Sequence, residues 1–325
     1  MSAPLLRVED LHVWFDLPDG HELHAVQGMT FSLEEGDRYG LVGESGCGKT
    51  TTILAVMGLL PPSASVAGRV LLEGEDILAR GEASVSPHRW KDIAMIFQGA
   101  MNAFNPVKRI GEQIAEPMEL HGVAEGREAH RRAAELLELV GIPGSRADRF
   151  PHEFSGGMRQ RAAIAMALAC RPKVLLADEP TTALDVMVQA QILELLVGLT
   201  QDLGLTLVLV THDLPVVARV CGRAAVMYAG QIVESGPMDA LYHDSHHPYT
   251  RLLFAAIPDL LGEGEVASIP GVPPRLDREI EGCPFAPRCD RTFEPCGSAA
   301  PALIATGPGH EAACHLNDPA VAKAS

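Results

Sequence analysis

No apolar run in this chain is long enough to cross a membrane. The longest, such as Ile53 to Leu60 and Leu203 to Val210, fall well short of the roughly 20 residues that a spanning helix needs. Positive charge is also scarce: 26 lysines and arginines stand against 42 acidic residues, a formal net charge of −16. A surface that acidic argues against nucleic acid as a partner, because proteins that bind it carry a basic patch. It leaves nucleotides open, since a phosphate site uses local dipoles rather than net charge. The opening residues, MSAPLLRVEDLHV, lack a basic stretch followed by an apolar core, so no secretory signal is expected and the protein is read as intracellular. Seven cysteines in such a compartment do not read as a disulfide framework. Low-complexity segments are lacking as well. What remains is 325 residues, 47% of them hydrophobic, enough for one large domain or two of ordinary size.

The chain is organised around Gly43-Glu44-Ser45-Gly46-Cys47-Gly48-Lys49-Thr50, which reads G-x-x-x-x-G-K-[ST]. Tyr39 to Val42 suits a buried strand, and Thr50 to Met57, beginning Thr50-Thr51, has helical spacing before Gly58 and Pro61-Pro62 stop it. The glycines therefore sit where a strand turns sharply into a helix. There the backbone N–H groups converge on an anion beside the positive end of the helix dipole. Lys49 is placed to reach the β- and γ-phosphates of a nucleotide, and the Thr50 hydroxyl to hold Mg²⁺. Cys47 takes a variable loop position, as a small residue or as a regulatory thiol.

Elsewhere strands and helices alternate. Leu5 to Phe15 and Leu23 to Leu33 read as paired strands around a Pro18-Asp19-Gly20 turn, and Gly68 to Leu78 as a further strand and turn. Ile93 to Gln98 is a short buried strand with a polar end. Residues 108 to 150 are mostly helical in pattern, Arg131 to Val140 most clearly. A long helix is expected from Phe154-Ser155-Gly156-Gly157 through Ala169, another over 186–203, and buried strands at Val174 to Asp178 and Leu205 to Thr211. Such alternation implies a mostly parallel α/β core. From about Ser245 the composition shifts towards Pro, Gly and Cys. The strand VLLAD ends in Asp178-Glu179: Asp178 is the candidate second ligand for Mg²⁺ and Glu179 the candidate base for an attacking water.

With those residues in place, residues 5 to 245 resemble the nucleotide-binding subunit of an ATP-binding cassette (ABC) transporter, with every motif in the family's order. The resemblance implies a P-loop NTPase cassette in residues 1–245, with a mostly parallel core, an antiparallel β subdomain and a helical subdomain at about 99–170. Phe15 is similar to the aromatic residue that stacks on adenine, although it also suits a core strand position. Gln98 matches the glutamine that senses Mg²⁺ and the attacking water. Ser155-Gly156-Gly157-Met158 matches the signature loop that caps the γ-phosphate of the opposite subunit, with Phe154 and Met158 departing from the common LSGGQ form. Asp185 matches the D-loop aspartate and His212 the switch histidine. The implied activity is ATP hydrolysis, with ATP joining two homologous cassettes, expected to be a heterodimer. The implied partners are two transmembrane permease subunits and, indirectly, an extracytoplasmic peptide-binding protein. The implied location is peripheral, at the cytoplasmic face of the cell membrane. A soluble ABC ATPase acting on nucleic acid fits less well with a single cassette and an acidic surface.

Residues 246–325 hold Cys283, Cys289, Cys296 and Cys314, spaced C-x5-C-x6-C-x17-C. Those gaps are too wide for the paired C-x2-C of a zinc ribbon, yet four thiols in an intracellular chain suit a metal or cluster. With His247-Pro-Tyr-Thr250 and Ile269-Pro-Gly271 before them, they resemble the tail of oligopeptide and dipeptide importer ATPases. In that family the four cysteines are similar to ligands of a 4Fe-4S cluster; zinc and free thiols are the alternatives. The cargo implied is di- or oligopeptides, with nickel chelates, glutathione or another solute as the alternative. Cys170 and Cys221, in apolar surroundings, are expected to be buried small residues.

Overall fold

The computed structural model describes residues 3–99, 103–256, 269–278, 280–318 and 321. Residues 100–102 of the expected helical subdomain, and parts of the expected extension, lie outside them. The strands are β1 (Leu6–Asp16), β2 (Glu22–Leu33), β3 (Arg38–Val42), β4 (Ala64–Leu72), β5 (Glu75–Asp76), β6 (Ile93–Ile96), β7 (Val174–Asp178), β8 (Thr206–Thr211), β9 (Arg223–Tyr228), β10 (Gln231–Pro237), β11 (Ile304–Gly307) and β12 (His310–Ala312). The helices are α1 (Lys49–Val56), α2 (Glu82–Val85), α3 (Ile110–Leu120), α4 (Gly126–Leu139), α5 (Gly156–Ala167), α6 (Val186–Leu203), α7 (Leu214–Val220), α8 (Met238–His243) and α9 (Pro248–Ala255). They fall into two compact units: Met1–Leu6, Leu33–Arg38 and Asp76–Val210 form one, and Arg7–Ser32, Tyr39–Glu75 and Thr211–Ser325 the other.

In the first unit β6, β7 and β8 run parallel, with Ile93 opposite Val174 and Val174 opposite Thr206. Every residue of β7 and β8 is buried, which is why both read as continuous apolar runs rather than alternating ones. Helices α3, α4 and α5 lie between β6 and β7 in the chain. α4 buries Ala129, Ala133 and Leu137, one face at intervals of four, while Glu128 on the outside meets Arg131 and Arg132. α3 buries Ile110, Ile114, Ala115 and Met118, and the Cys170 thiol reaches the Pro117 carbonyl at 3.4 Å. The turn before β3 is tied in through Thr206, whose hydroxyl accepts from the Gly36 N–H at 2.9 Å.

In the second unit β3 runs parallel to β9, and β9, β10, β12 and β11 follow as antiparallel neighbours. The β9–β10 hairpin closes on Ala229-Gly230, both with positive φ (49° and 82°), as a two-residue primed turn requires. A separate sheet has the order β2-β1-β4-β5. Phe15 stands on the face of β1 that holds the buried Leu11 and Val13, itself only partly buried. Trp14, on the other face, stacks on His24 with centroids 4.7 Å apart. The C-terminal residues build on the same framework: Ala312 pairs with Glu234, and the rings of Tyr228, Tyr249 and Phe285 meet at 4.6 to 5.3 Å, all fully buried.

Helix α7 packs so closely on β3 that a Cβ on Gly40 would lie 2.4 Å from Val217 Cγ1. Overpacking of that kind costs about 1–3 kcal/mol. Gly40→Ala is expected to lower the thermal unfolding midpoint by several degrees; an unchanged midpoint in a calorimetric scan would show that α7 yields freely.

Candidate functional site

The Gly43–Lys49 loop leaves β3 and enters α1 through three glycines with positive φ: Gly43 at 151°, Gly46 at 80° and Gly48 at 104°. Two of them are also sterically obligatory. A Cβ on Gly43 would stand 2.3 Å from the Met227 carbonyl oxygen, and one on Gly48 would stand 2.5 Å from that of Ala25. The loop curls around Lys49, which is 6% exposed. Its ammonium donates to the Gly43 carbonyl at 2.7 Å and the Glu44 carbonyl at 2.9 Å, so the buried charge is met by backbone dipoles. The β9–β10 turn supports the loop from below, with the Gly230 N–H donating to the Cys47 carbonyl at 3.0 Å. Ser45, Gly46 and Thr50 are exposed, while Thr51 is half-buried beside Thr52, whose hydroxyl donates to the Gly48 carbonyl. Burial pushes the Cys47 thiol up against the opposing pull of Lys49, which disfavours its reactive thiolate.

The loop is also held from the C-terminal segment. Arg288 donates to both carboxylate oxygens of Glu44, at 2.6 and 2.9 Å, and the Glu44 N–H donates to the Tyr249 hydroxyl at 2.9 Å. Hydrogen bonding to Glu44 raises the Arg288 pKa, and burial raises that of Tyr249.

In the first unit, β7 delivers Asp178, 1% exposed, and Glu179 follows with φ 43°. A left-handed conformation is strained for a side chain like glutamate. The backbone holds it through the Glu179 N–H, which donates to the Val210 carbonyl at 2.8 Å. One carboxylate oxygen, Oε2, accepts from Gln98 Nε2 at 2.8 Å and from the Thr182 hydroxyl at 2.9 Å. Gln98 and Glu179, 81 residues apart, are thus in direct contact. Ser155 caps α5, its hydroxyl accepting from the Met158 N–H at 3.3 Å, and Asp185 caps α6 through the Val188 N–H at 3.0 Å. The two helix starts touch: a Cβ on Gly157 would lie 2.7 Å from Val188 Cγ1, so Gly157 is the residue that lets α5 and α6 approach; Gly156 precedes it at the first position of α5. His212 belongs to the second unit and stands exposed between β8 and α7.

Cys283, Cys289, Cys296 and Cys314 line one small cavity together with His247, Phe285 and His315. The Cys283 N–H donates to the Cys296 carbonyl at 2.8 Å, and the Arg291 N–H reaches Cys289 Sγ at 3.3 Å. Burial, reinforced by the neighbouring cysteines, pushes the Cys283 thiol up and that of Cys314 up to about 11. Among the described residues no group of three or more His, Cys, Asp or Glu forms a ready site for a metal ion. The expected 4Fe-4S ligation is therefore not supported by the described residues, although the four cysteines line the same cavity.

The family description ABC transporter matches residues 26–182, and a second, oligopeptide/dipeptide transporter C-terminal region, matches residues 233–296. The oligopeptide transport ATP-binding protein OppD of Salmonella typhimurium is 46% identical over 313 residues, 95% of this chain and 93% of that protein. The chain belongs to the ABC transporter family. Within it, the dipeptide transport ATP-binding protein DppD of Bacillus subtilis is 44% identical over 319 residues, 97% of this chain and 95% of that protein. A dimeric ATP-binding cassette solved in a post-hydrolysis state with ADP and Pi is 28% identical with a TM-score of 0.64, covering 72% of this chain and 98% of that one.

Thr182, Tyr249 and Arg288 join the site although the ABC motifs assign them no role. Thr182 stands three residues before the D-loop Asp185, within the same short segment. Arg288 carried one hint, a lone cation inside Cys-Pro-Phe-Ala-Pro-Arg-Cys. The loop's steric demand gives a direct test. Gly43→Ala is expected to weaken binding of a fluorescent ATP analogue about tenfold or more, given roughly 1–3 kcal/mol of backbone strain, with far-UV circular dichroism retained. Wild-type affinity would mean that the loop does not need this approach to Met227.

Proposed function

We propose that the protein is the ATP-hydrolysing subunit of an importer for di- or oligopeptides. The observation that carries this reading is Glu179, strained at the end of a buried strand and fixed by Gln98 and Thr182, in a chain whose C-terminal region matches peptide transporters. Lys49 and the loop from Gly43 to Thr51 bind the phosphates of ATP, with Phe15 against the adenine. Thr50, Asp178 and Gln98 hold Mg²⁺, which when bound neutralises charge on the phosphates. Glu179 orients and deprotonates the attacking water, and its two donors keep the carboxylate aimed. His212 answers to the γ-phosphate. Ser155, Gly156, Gly157 and Met158 serve the nucleotide of a second, homologous cassette, with Asp185 beside them at that joint. Two permease subunits supply the passage, an extracytoplasmic binding protein delivers the cargo, and the subunit works at the cytoplasmic face of the membrane. Residues 1–245 are the cassette, with the helical subdomain at about 99–170, and 246–325 the extension.

The four cysteines suit a 4Fe-4S cluster in chemistry. They line one cavity, and iron would deprotonate Cys283 and Cys314, whose thiols burial pushes up. Anaerobic purification should yield iron and acid-labile sulfide in about equal amounts; zinc without sulfide, or no metal, would sink the cluster.

The decisive experiment is ATP turnover in the reconstituted transporter with its binding protein. Short peptides should stimulate it, and Glu179→Gln should abolish it, by about 10²-fold or more, while ATP still binds. Stimulation by a metal chelate or glutathione alone would overturn the cargo, and surviving turnover in the variant would overturn the base.

A further inference from the structure

We propose that Arg288 and Tyr249 are positioning residues of the phosphate loop, through which the cysteine-bearing C-terminal segment sets the affinity for ATP. This rests on the reading of Gly43 to Thr51 as the ATP site. Glu44 is a liability in such a loop. Its carboxylate sits one residue from Gly43 and five from Lys49, where an anionic nucleotide must approach, and its charge opposes that approach.

The structure answers that charge at close range. The Arg288 side chain is 3% exposed and grips the carboxylate with both terminal nitrogens, at 2.6 and 2.9 Å. Parallel two-pronged pairing is the strongest geometry available to these groups. The guanidinium is itself immobilised, with Nε on the Pro270 carbonyl at 2.7 Å and Nη1 on the Tyr228 hydroxyl at 3.2 Å. It lies 5.7 Å from the Tyr228 ring centroid, within cation–π range. The Glu44 backbone is fixed from a second direction. Its N–H donates to the buried Tyr249 hydroxyl, and its carbonyl accepts from Lys49. One loop residue is thus anchored by side chain, amide and carbonyl, and two of those anchors come from beyond residue 245.

The anchors belong to the same small body as the cysteines. Arg288 ends the short turn Ala286–Arg288 and is followed directly by Cys289. Phe285, which immediately precedes that turn, packs against Tyr228 and Tyr249. A shift of the Cys283–Cys289 stretch moves the guanidinium that neutralises Glu44, so the segment acts on the loop through charge as well as through packing.

The test is titration of the full-length protein with a fluorescent ATP analogue. Lys49→Ala should lose binding; if it binds as wild type does, the phosphate-loop reading fails and this proposal falls with it. With Lys49→Ala defective, Arg288→Ala should weaken binding about tenfold, Arg288→Lys less because it keeps charge without the fork, and Tyr249→Phe about threefold. Adding Glu44→Gln to Arg288→Ala should recover most of the loss, since the unneutralised carboxylate is gone. A merely structural role for Arg288 predicts no such rescue, and its absence overturns the proposal. Should the alanine variant fail to fold, Arg288→Lys and Tyr249→Phe carry the same test, and wild-type affinity in both overturns it. In the assembled transporter the KM for ATP should rise with kcat unchanged; a fall in kcat at constant KM also overturns it.

Discussion

A buried ammonium group imposes the strictest condition on the second unit. Lys49 has been taken out of water, which is costly unless oxygens replace its hydration. The loop supplies them by folding its own carbonyls from Gly43 and Glu44 onto the amine. That curl is possible only if the backbone reaches positive φ at Gly43, Gly46 and Gly48, and only if nothing projects from Gly43 towards Met227 or from Gly48 towards Ala25. The neighbouring elements follow from this. β9 and β10 must place their turn beneath Cys47, and β2 must bring Ala25 against the loop without a clash.

The first unit solves a different problem at Glu179. A glutamate in the left-handed region costs about 1–3 kcal/mol, and such strain persists only where the surroundings fix it. Here they do so with three hydrogen bonds: the backbone amide to Val210, and the carboxylate to Gln98 and Thr182. The side chain is thereby aimed before any substrate arrives, which is the arrangement that a group polarising water needs.

Much of this was legible from the residues. Continuous apolar runs located β7 and β8 because both faces of these strands are covered, and α6 occupies the residues 186–203 expected of it, where the structure shows Asp185 capping its start and Gly204 its end. The glycines and Lys49 located the loop for the same reason. Other features depend on tertiary contact and left no local mark. β9 is Arg-Ala-Ala-Val-Met-Tyr, whose alanines and methionine favour a helix as readily as a strand, and only pairing with β3 and β10 decides the matter. β4 begins at Ala64, earlier than the expected Gly68; the residues from Ser65 to Arg69 are exposed, so no buried apolar alternation marks that part of the strand. The Glu44–Arg288 pair joins residues 244 apart, a distance no spacing argument spans.

The pairing of β12 with β10 carries one further consequence. β10 has β9 on one side, and on the other its N–H and C=O groups are met by a three-residue strand from the far end of the chain. An uncovered strand edge is a template for pairing with another chain, and short added strands are one way in which proteins blunt it. β11 then becomes the new border, four residues long and interrupted by a register shift before Gly307, a poor surface for further growth. A protein truncated ahead of Ile304 would thus lose its edge protection along with the tail, and edge-to-edge aggregation would follow from that exposed backbone alone.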